Sequence, residues 1–131
     1  VVRVIAGRTT LGTTGPVVQP LTEPLYLDVR LPAATAFSER LPAGHNGFAY
    51  VITGTLAANN LEGEILELGR DDLAVFSHGE EVQIRAGEEG ARFLLVAGKP
   101  LNEPVARGGP FVMNTKAEIR QAYEDYEAGR L

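Results

Sequence analysis

Cysteine is absent from this sequence, which removes disulfides, thiolate zinc sites and thiol nucleophiles. Histidine is scarce, with only His45 and His78, and neither has a second histidine two or four positions on. No apolar run approaches the roughly 18 residues of a membrane-spanning helix. No secretory signal and no Asn-x-Ser/Thr sequon is visible. No membrane association and a cytoplasmic location are expected. Lys and Arg form no basic run and the formal charge is −5. A phosphate-backbone surface needs clustered cations, so direct nucleic-acid binding is not expected. An initiator Met is also missing: Val1 leads straight into a strand, which reads as a fragment, a processed product or a trimmed chain.

What is present is ordinary globular material, 44 % apolar and 22 % charged over 131 residues, enough for one domain with a real core. The 15 glycines and 8 prolines point to many turns and therefore many short strands. "VVRVIAG" (1–7) is β-rich, and a turn-rich connection (8–24) follows. "LYLDVRL" (25–31) alternates Leu25, Leu27, Val29 and Leu31 against Tyr26, Asp28 and Arg30, the period of a half-buried strand. "TAFSERL" (35–41) repeats this with Phe37 and Leu41. "GFAYVITGTL" (47–56) is more fully apolar and reads as a central strand. "GEILELG" (63–69), "DLAVF" (72–76), "EVQIRAG" (81–87) and "ARFLLVAG" (91–98) complete the series. Short strands at even spacing with turn residues between them indicate a sandwich or closed barrel.

The end differs. After a glycine-proline loop, Thr115 and Glu118 form a capping box, or Asn114 caps in place of Thr115. Ile119, Ala122, Tyr123 and Tyr126 then fall on one helical stripe, and Gly129 supplies the stop. That stripe must be buried, against this domain's own barrel or against a neighbouring domain or subunit.

Candidate chemistry is sparse. "GRTTLGTTG" (7–15) spaces two glycines like a phosphate loop, but Thr13 stands where that loop needs Lys and no helix follows. It reads as a turn. Glu80, Glu81, Glu88 and Glu89 lack the alternating oxygen ligands of a calcium loop and read as a solvated face. No nucleophile elbow or Ser-His-Asp set is placed. A metal in a barrel usually takes three rigid His or carboxylate ligands. With two histidines it would need carboxylate help from a position nothing singles out. His45 is expected to bond within a turn or to line a pocket mouth with Arg40 and Tyr50; Tyr50 is better explained as a strand residue packing in the core. No catalytic, cofactor-binding or metal residue is assigned.

Taken together, "GHNGFAYVITG" (44–54), "ARFLLVAGKPLNEPVARGGPFVMNT" (91–115) and the closing "DYEAGRL" resemble the C-terminal half of pirin-family proteins, two-domain bicupins. "VRVIAG" and "PLYLDVRLP" match where that half begins, so the resemblance spans nearly the whole chain. Gly47 and Thr53 depart from the Ala and Glu common in the family, as tolerated strand or turn changes. The resemblance implies an all-β, cupin-like double-stranded β-helix or jelly-roll barrel over residues 1–113, with a capping or docking helix and tail over 114–131. It implies iron held by three His and one Glu in an N-terminal cupin whose motifs are not in this chain. Superposing the halves on Gly54 puts Arg40 and Pro42 where the first two histidines would fall, and Val82, Ile84 and Ala86 opposite the second motif.

The resemblance therefore implies a metal-free scaffold half, not itself an enzyme, with no cofactor of its own. It would support a partner cupin through the helix at 115–128 and the segment "EPVARGGPFVMNT" (103–115). Intact family members resemble iron-dependent quercetin 2,3-dioxygenases, in which iron would bind flavonol oxygens and organise attack by dioxygen. Others act as transcriptional co-regulators through protein partners. The expected partners are the N-terminal cupin, a second copy in a homodimer, or a regulatory protein. The rival expectation is a stand-alone small-molecule binder or enzyme using a cavity near His45. A ligand site would show a few convergent polar groups in an apolar cavity, whereas a scaffold barrel would be filled.

Overall fold

The computed structural model describes residues 1–60, 62–76 and 79–130; His78 lies outside them. Its contacts divide the chain into two units, Val1–Pro100 and Leu101–Leu131.

In the first unit, β1 (Val2–Ala6), β2 (Leu25–Leu31), β3 (Ala36–Arg40), β4 (Asn46–Asn59), β5 (Ile65–Leu68), β6 (Leu73–Val75) and β7 (Glu81–Gly98) build one antiparallel sheet. The order is β1-β2-β7-β4-β5, with β3 also on β7 and β6 also on β4. This is the expected all-β jelly-roll architecture. β4 is central, as its apolar run suggested, because it has covered neighbours along its length. Alternation decides what goes inward: Leu25, Leu27 and Val29 from β2, Ala49 and Val51 from β4, Phe93 and Leu95 from β7, all buried. Burying such side chains stabilises the fold by about 1.5–3 kcal/mol for each large one.

Two expected strands, 81–87 and 91–98, prove to be one. β7 runs unbroken from Glu81 to Gly98, and Gly87 and Gly90 bend it without ending it. Its first part pairs with β3, its second with β2. β4 bends beside it through register shifts between Val51 and Thr53 and between Gly54 and Leu56. Such bulges increase the local twist, and both long strands thereby serve both halves of the barrel. Gly54 and Gly90 adopt positive φ of 74° and 75° at this corner, a conformation that disfavours any side chain.

Residues 8–15 form a bonded turn. Thr9 N–H donates to Thr13 O at 2.9 Å, Gly12 N–H to Thr9 O at 2.8 Å, and Gly15 N–H to Gly7 O at 2.8 Å.

In the second unit, the expected glycine-proline loop contains a hairpin, β8 (Ala106–Gly108) with β9 (Phe111–Met113). Strands of three residues are too short for alternation to reveal them. α1 (Lys116–Glu127) follows with the full capping box: Thr115 N–H donates to Glu118 Oε2 at 2.7 Å and Glu118 N–H to Thr115 Oγ1 at 3.2 Å. Asn114 does not cap. Its Nδ2 donates to Glu103 Oε2 at 3.0 Å and Pro104 O at 2.9 Å, tying down the preceding segment. Gly129, with φ 67°, follows the C-cap Ala128. Within this unit the stripe meets the hairpin. Phe111 packs edge-on to Tyr123 with ring centroids 5.1 Å apart, and Ile119 lies against Gly108.

Candidate functional site

The interior of the sheet is where a barrel of this kind would keep its chemistry, and register shows what stands there. Residues directly opposite in antiparallel strands share a face. Leu27, Leu95 and Ala49 form one inward row, and Val29, Phe93 and Val51 the next. Toward the other half, Phe37 pairs with Ile84 and Glu39 with Val82. Phe37 meets Phe93 edge to face at 5.6 Å, so the middle is occupied by side chains. Gly47 leaves little slack: a Cβ there would stand 3.1 Å from Leu41 and 3.3 Å from Ala97 and Phe76.

Val82, Ile84 and Ala86 are buried in this core. Their hydrocarbon has no lone pair to offer, so the donor set at these positions does not fit an iron ion. Arg40 faces the opposite way from the superposition, because it pairs with exposed Glu81 on the outer row of β3 and β7. Pro42 is exposed as well. Among the described residues no three of His, Cys, Asp and Glu converge as a metal-holding group would require.

A cavity of 380 Å³ opens onto one end of the core, lined by Leu41, Leu66, Leu68, Ala74, Phe76 and Val82. Its rim carries Asn60, Glu81 and Gln83, but these satisfy one another or the backbone. Asn60 Oδ1 accepts from Glu62 N–H and Glu64 N–H at 2.9 and 2.8 Å. Gln83 donates to Glu81 at 2.8 Å, and Ser38 donates to the same carboxylate. Those bonds hold the Glu81 carboxyl below its ordinary range, Ser38 foremost. A second cleft of 390 Å³ runs past Ala36, Ala57, Ile65 and Arg85. Neither gathers polar groups aimed at one point.

The three residues expected at a pocket mouth each have a different partner, and none lines either cavity. His45 Nε2 lies 3.0 Å from Glu23 O, the geometry of an Nε2–H donating to the carbonyl, while its buried Nδ1 has no partner among the described residues. Its own backbone N–H donates to Pro42 O at 3.1 Å. Arg40 is exposed, and its N–H donates to Thr10 Oγ1 at 3.1 Å. Tyr50 is not a core residue. It sits on the outer row between Leu94 and Leu73, and its hydroxyl donates to Asp71 Oδ1 at 2.9 Å. That bond, with the negative charge of Asp71, pushes the Tyr50 pKa up.

Two buried carboxylates had not been singled out. Glu39 is 4 % exposed and accepts from Thr10 N–H at 2.6 Å and Thr10 Oγ1 at 2.5 Å. Period 2 running from Phe37 to Leu41 already puts residue 39 inward; nothing in the sequence names Thr10 as its cap. Asp28 is 7 % exposed although its strand phase points it outward. Arg92 grips it with two bonds, Nε to Oδ1 at 3.0 Å and Nη2 to Oδ2 at 2.9 Å. Hydrogen bonding to Arg92 lowers the Asp28 pKa against the opposing effect of burial, and the Arg30 and Arg3 charges lower it further.

Comparison with known proteins agrees with this architecture. The family model of the pirin C-terminal cupin domain matches residues 26–131. A Pseudomonas aeruginosa protein named "Putative quercetin 2,3-dioxygenase" is 46 % identical over 134 residues, covering 99 % of this chain and 46 % of that protein. Human pirin is 37 % identical over 106 residues, covering 80 % of this chain and 36 % of its own length. A crystal structure of quercetin 2,3-dioxygenase from Acinetobacter baumannii superposes with a TM-score of 0.86 at 34 % identity, over 98 % of this chain and 43 % of that one. The chain spans less than half the length of each of these relatives.

Proposed function

Because this chain belongs to the pirin family, through its C-terminal cupin domain, we propose that it works as the scaffold half of a two-cupin protein. In this reading, residues 1–113 form a filled barrel that supports an iron-holding N-terminal cupin. The helix and tail at 114–131, with the segment 103–115, are the docking elements. The observation that carries the reading is the hydrocarbon interior, with buried Val82, Ile84 and Ala86 where the superposition puts the second ligand motif. The whole protein would work in the cytoplasm as a quercetin 2,3-dioxygenase-like oxidoreductase, or through a regulatory protein partner. Among the described residues no helix is long and apolar enough to cross a membrane, which is compatible with that setting.

The second reading, a small-molecule binder, draws on the 380 Å³ cavity, whose volume falls in the range of ligand pockets. Of its polar lining residues, Asn60, Glu81 and Gln83 already bond to one another or to neighbouring groups, and this favours the scaffold.

Elemental analysis of the purified 131-residue chain after expression with added iron tests the proposal. The expected result is iron far below one equivalent, together with capture of a separately produced pirin-type N-terminal cupin. One equivalent of iron in this chain alone would overturn the scaffold reading.

A further inference from the structure

At one end β4 and β7 separate, and the two cavities lie on either side of the gap. Their ladder ends at Ala57–Arg85. Beyond that rung β4 continues to Asn59 beside β5, and β7 starts from Glu81 beside β3. Alternation puts Gln83 and Arg85 on the outer face with Ser38 and Ala36, and Ile84 on the inner face with Phe37. Yet the 390 Å³ cleft on the outer side reaches the inward-phase Phe37, Ile84 and Ala58. The 380 Å³ cavity on the inner side reaches the outward-phase Asn59 and Gln83. Ala58, Asn59 and Gln83 line both. The gap is therefore a slot through the sheet.

Hydrogen-bond phase shows what the edges of the slot present. Main-chain groups of successive strand residues point to alternate edges. Ala86 N–H donates to Thr35 O at 2.9 Å and Leu41 N–H to Glu80 O at 3.0 Å. Even-numbered residues of this part of β7 thus bond toward β3, and Gln83 points its N–H and C=O toward β4. Asn60 N–H donates to Glu64 O at 2.9 Å, so Asn59 points its own toward β7. Beyond the last rung, two main-chain edges face each other across open space, and such groups need partners. Side chains do not converge here, but the backbone does. One charge is also open. Arg85 lines the outer cleft and has no ion-pair partner among the described residues. Glu67 is separated from it by Ala57 in the same row, and Glu81 is engaged by Ser38 and Gln83.

We propose that this slot binds a small carboxylate with a flat apolar body and one hydrogen-bonding edge. The carboxylate meets Arg85, whose planar fork takes both oxygens in parallel bonds. The body lies over Phe37 and Ile84, between the small side chains of Ala36 and Ala57. Its polar edge meets the main chain of Asn59 and Gln83. Two residues of strand, about 6.5 Å, separate Arg85 from Gln83, which suits a body of one or two rings. The cleft volume is that of a small-molecule site. The slot lies wholly within Val1–Pro100 and is separate from the docking elements proposed above, so a scaffold half can carry it.

Heteronuclear NMR titration of the 131-residue chain with 6-hydroxy-2-naphthoate tests it. The expected result is saturable shifts at the amides of Asn59 and Gln83, with 2-naphthol, which lacks the carboxylate, binding about tenfold more weakly. Arg85→Gln should weaken the acid about tenfold and leave 2-naphthol unchanged. Ala36→Leu fills the cleft from an exposed position and should weaken both probes. Ala57→Leu reads the same contact should circular dichroism show that the first filling variant unfolds. Arg70→Gln, an exposed cation outside the cleft, should change nothing. No saturable shift up to millimolar acid overturns the proposal, and so does equal affinity for the acid and the alcohol. Shifts at these amides with an extended hexapeptide but not with the naphthoate also overturn it, because the slot would then accept a strand. Iron content is read separately, so this proposal and the scaffold reading fail independently.

Discussion

A Cβ placed on Gly54 would stand 2.0 Å from the carbonyl oxygen of Gly90. The two glycines face each other where β4 and β7 bend together, and both have positive φ. Gly90 has no room for a side chain either, since a Cβ there would lie 2.6 Å from Leu31 O. Gly54→Ala is therefore expected to cost more than about 2 kcal/mol, combining an unfavourable backbone region with a backbone clash. Urea unfolding measures it. A midpoint equal to that of the parent would show that the corner opens freely.

Asp28 and Arg92 make a two-bond side-chain link across β2 and β7. Removing the charge with Asp28→Asn is expected to destabilise by about 1–3 kcal/mol at neutral pH, with Arg92's partial exposure favouring the lower end. The Asp28 pKa in the fold is below its unfolded value, so its contribution is complete above the unfolded pKa. It is lost as pH falls from about 4 through the lowered folded value. Urea titrations at pH 7 and pH 3 should show the gap between parent and variant narrowing in acid. A gap that widened would contradict the assignment.

Thr10 caps a carboxylate that the barrel has buried. Thr10→Val keeps the backbone donor but loses the hydroxyl donor to Glu39, an expected loss of about 1 kcal/mol. Its clearest sign should be faster tryptic cleavage after Arg8, two residues earlier in the same turn. Unchanged cleavage would mean that the backbone bond alone holds the segment.

Thr115→Ala removes one half of the capping box and is expected to cost about 1 kcal/mol of helix stability. Hydrogen exchange should quicken at residues 116–119 while amides of β2 and β7 keep their protection. Equal loosening in both places would indicate that the helix and the sheet open together.

Much of the fold was legible locally. Leu25, Leu27 and Val29 declare a strand by their spacing, and Thr115 with Glu118 declares a helix start, because each signal depends on residues a turn or a pleat apart. The break expected between 87 and 91 failed for a physical reason. Glycines that end a strand and glycines that bend one look alike until the neighbouring strand is known. The β8–β9 hairpin escaped because three residues carry no period. Tyr50 was expected in the core because it sits in an apolar run. Its neighbours Ala49 and Val51 are the ones turned inward, and Tyr50 joins the outer row.

The candidate site divides along the same line. The scarcity of histidine and the hydrocarbon at Val82, Ile84 and Ala86 were properties of the sequence, since a side chain without lone pairs cannot ligate in any fold. The period-2 pattern likewise determined which residues share a face. Only the tertiary structure decided which faces are covered, and by what. It set Arg92 on Asp28 across 64 positions and Thr10 on Glu39 across 29, and it left Phe48, Leu73 and Val75 open on one sheet face. Alternation is a local property of the backbone, whereas burial depends on strands brought together from distant parts of the chain.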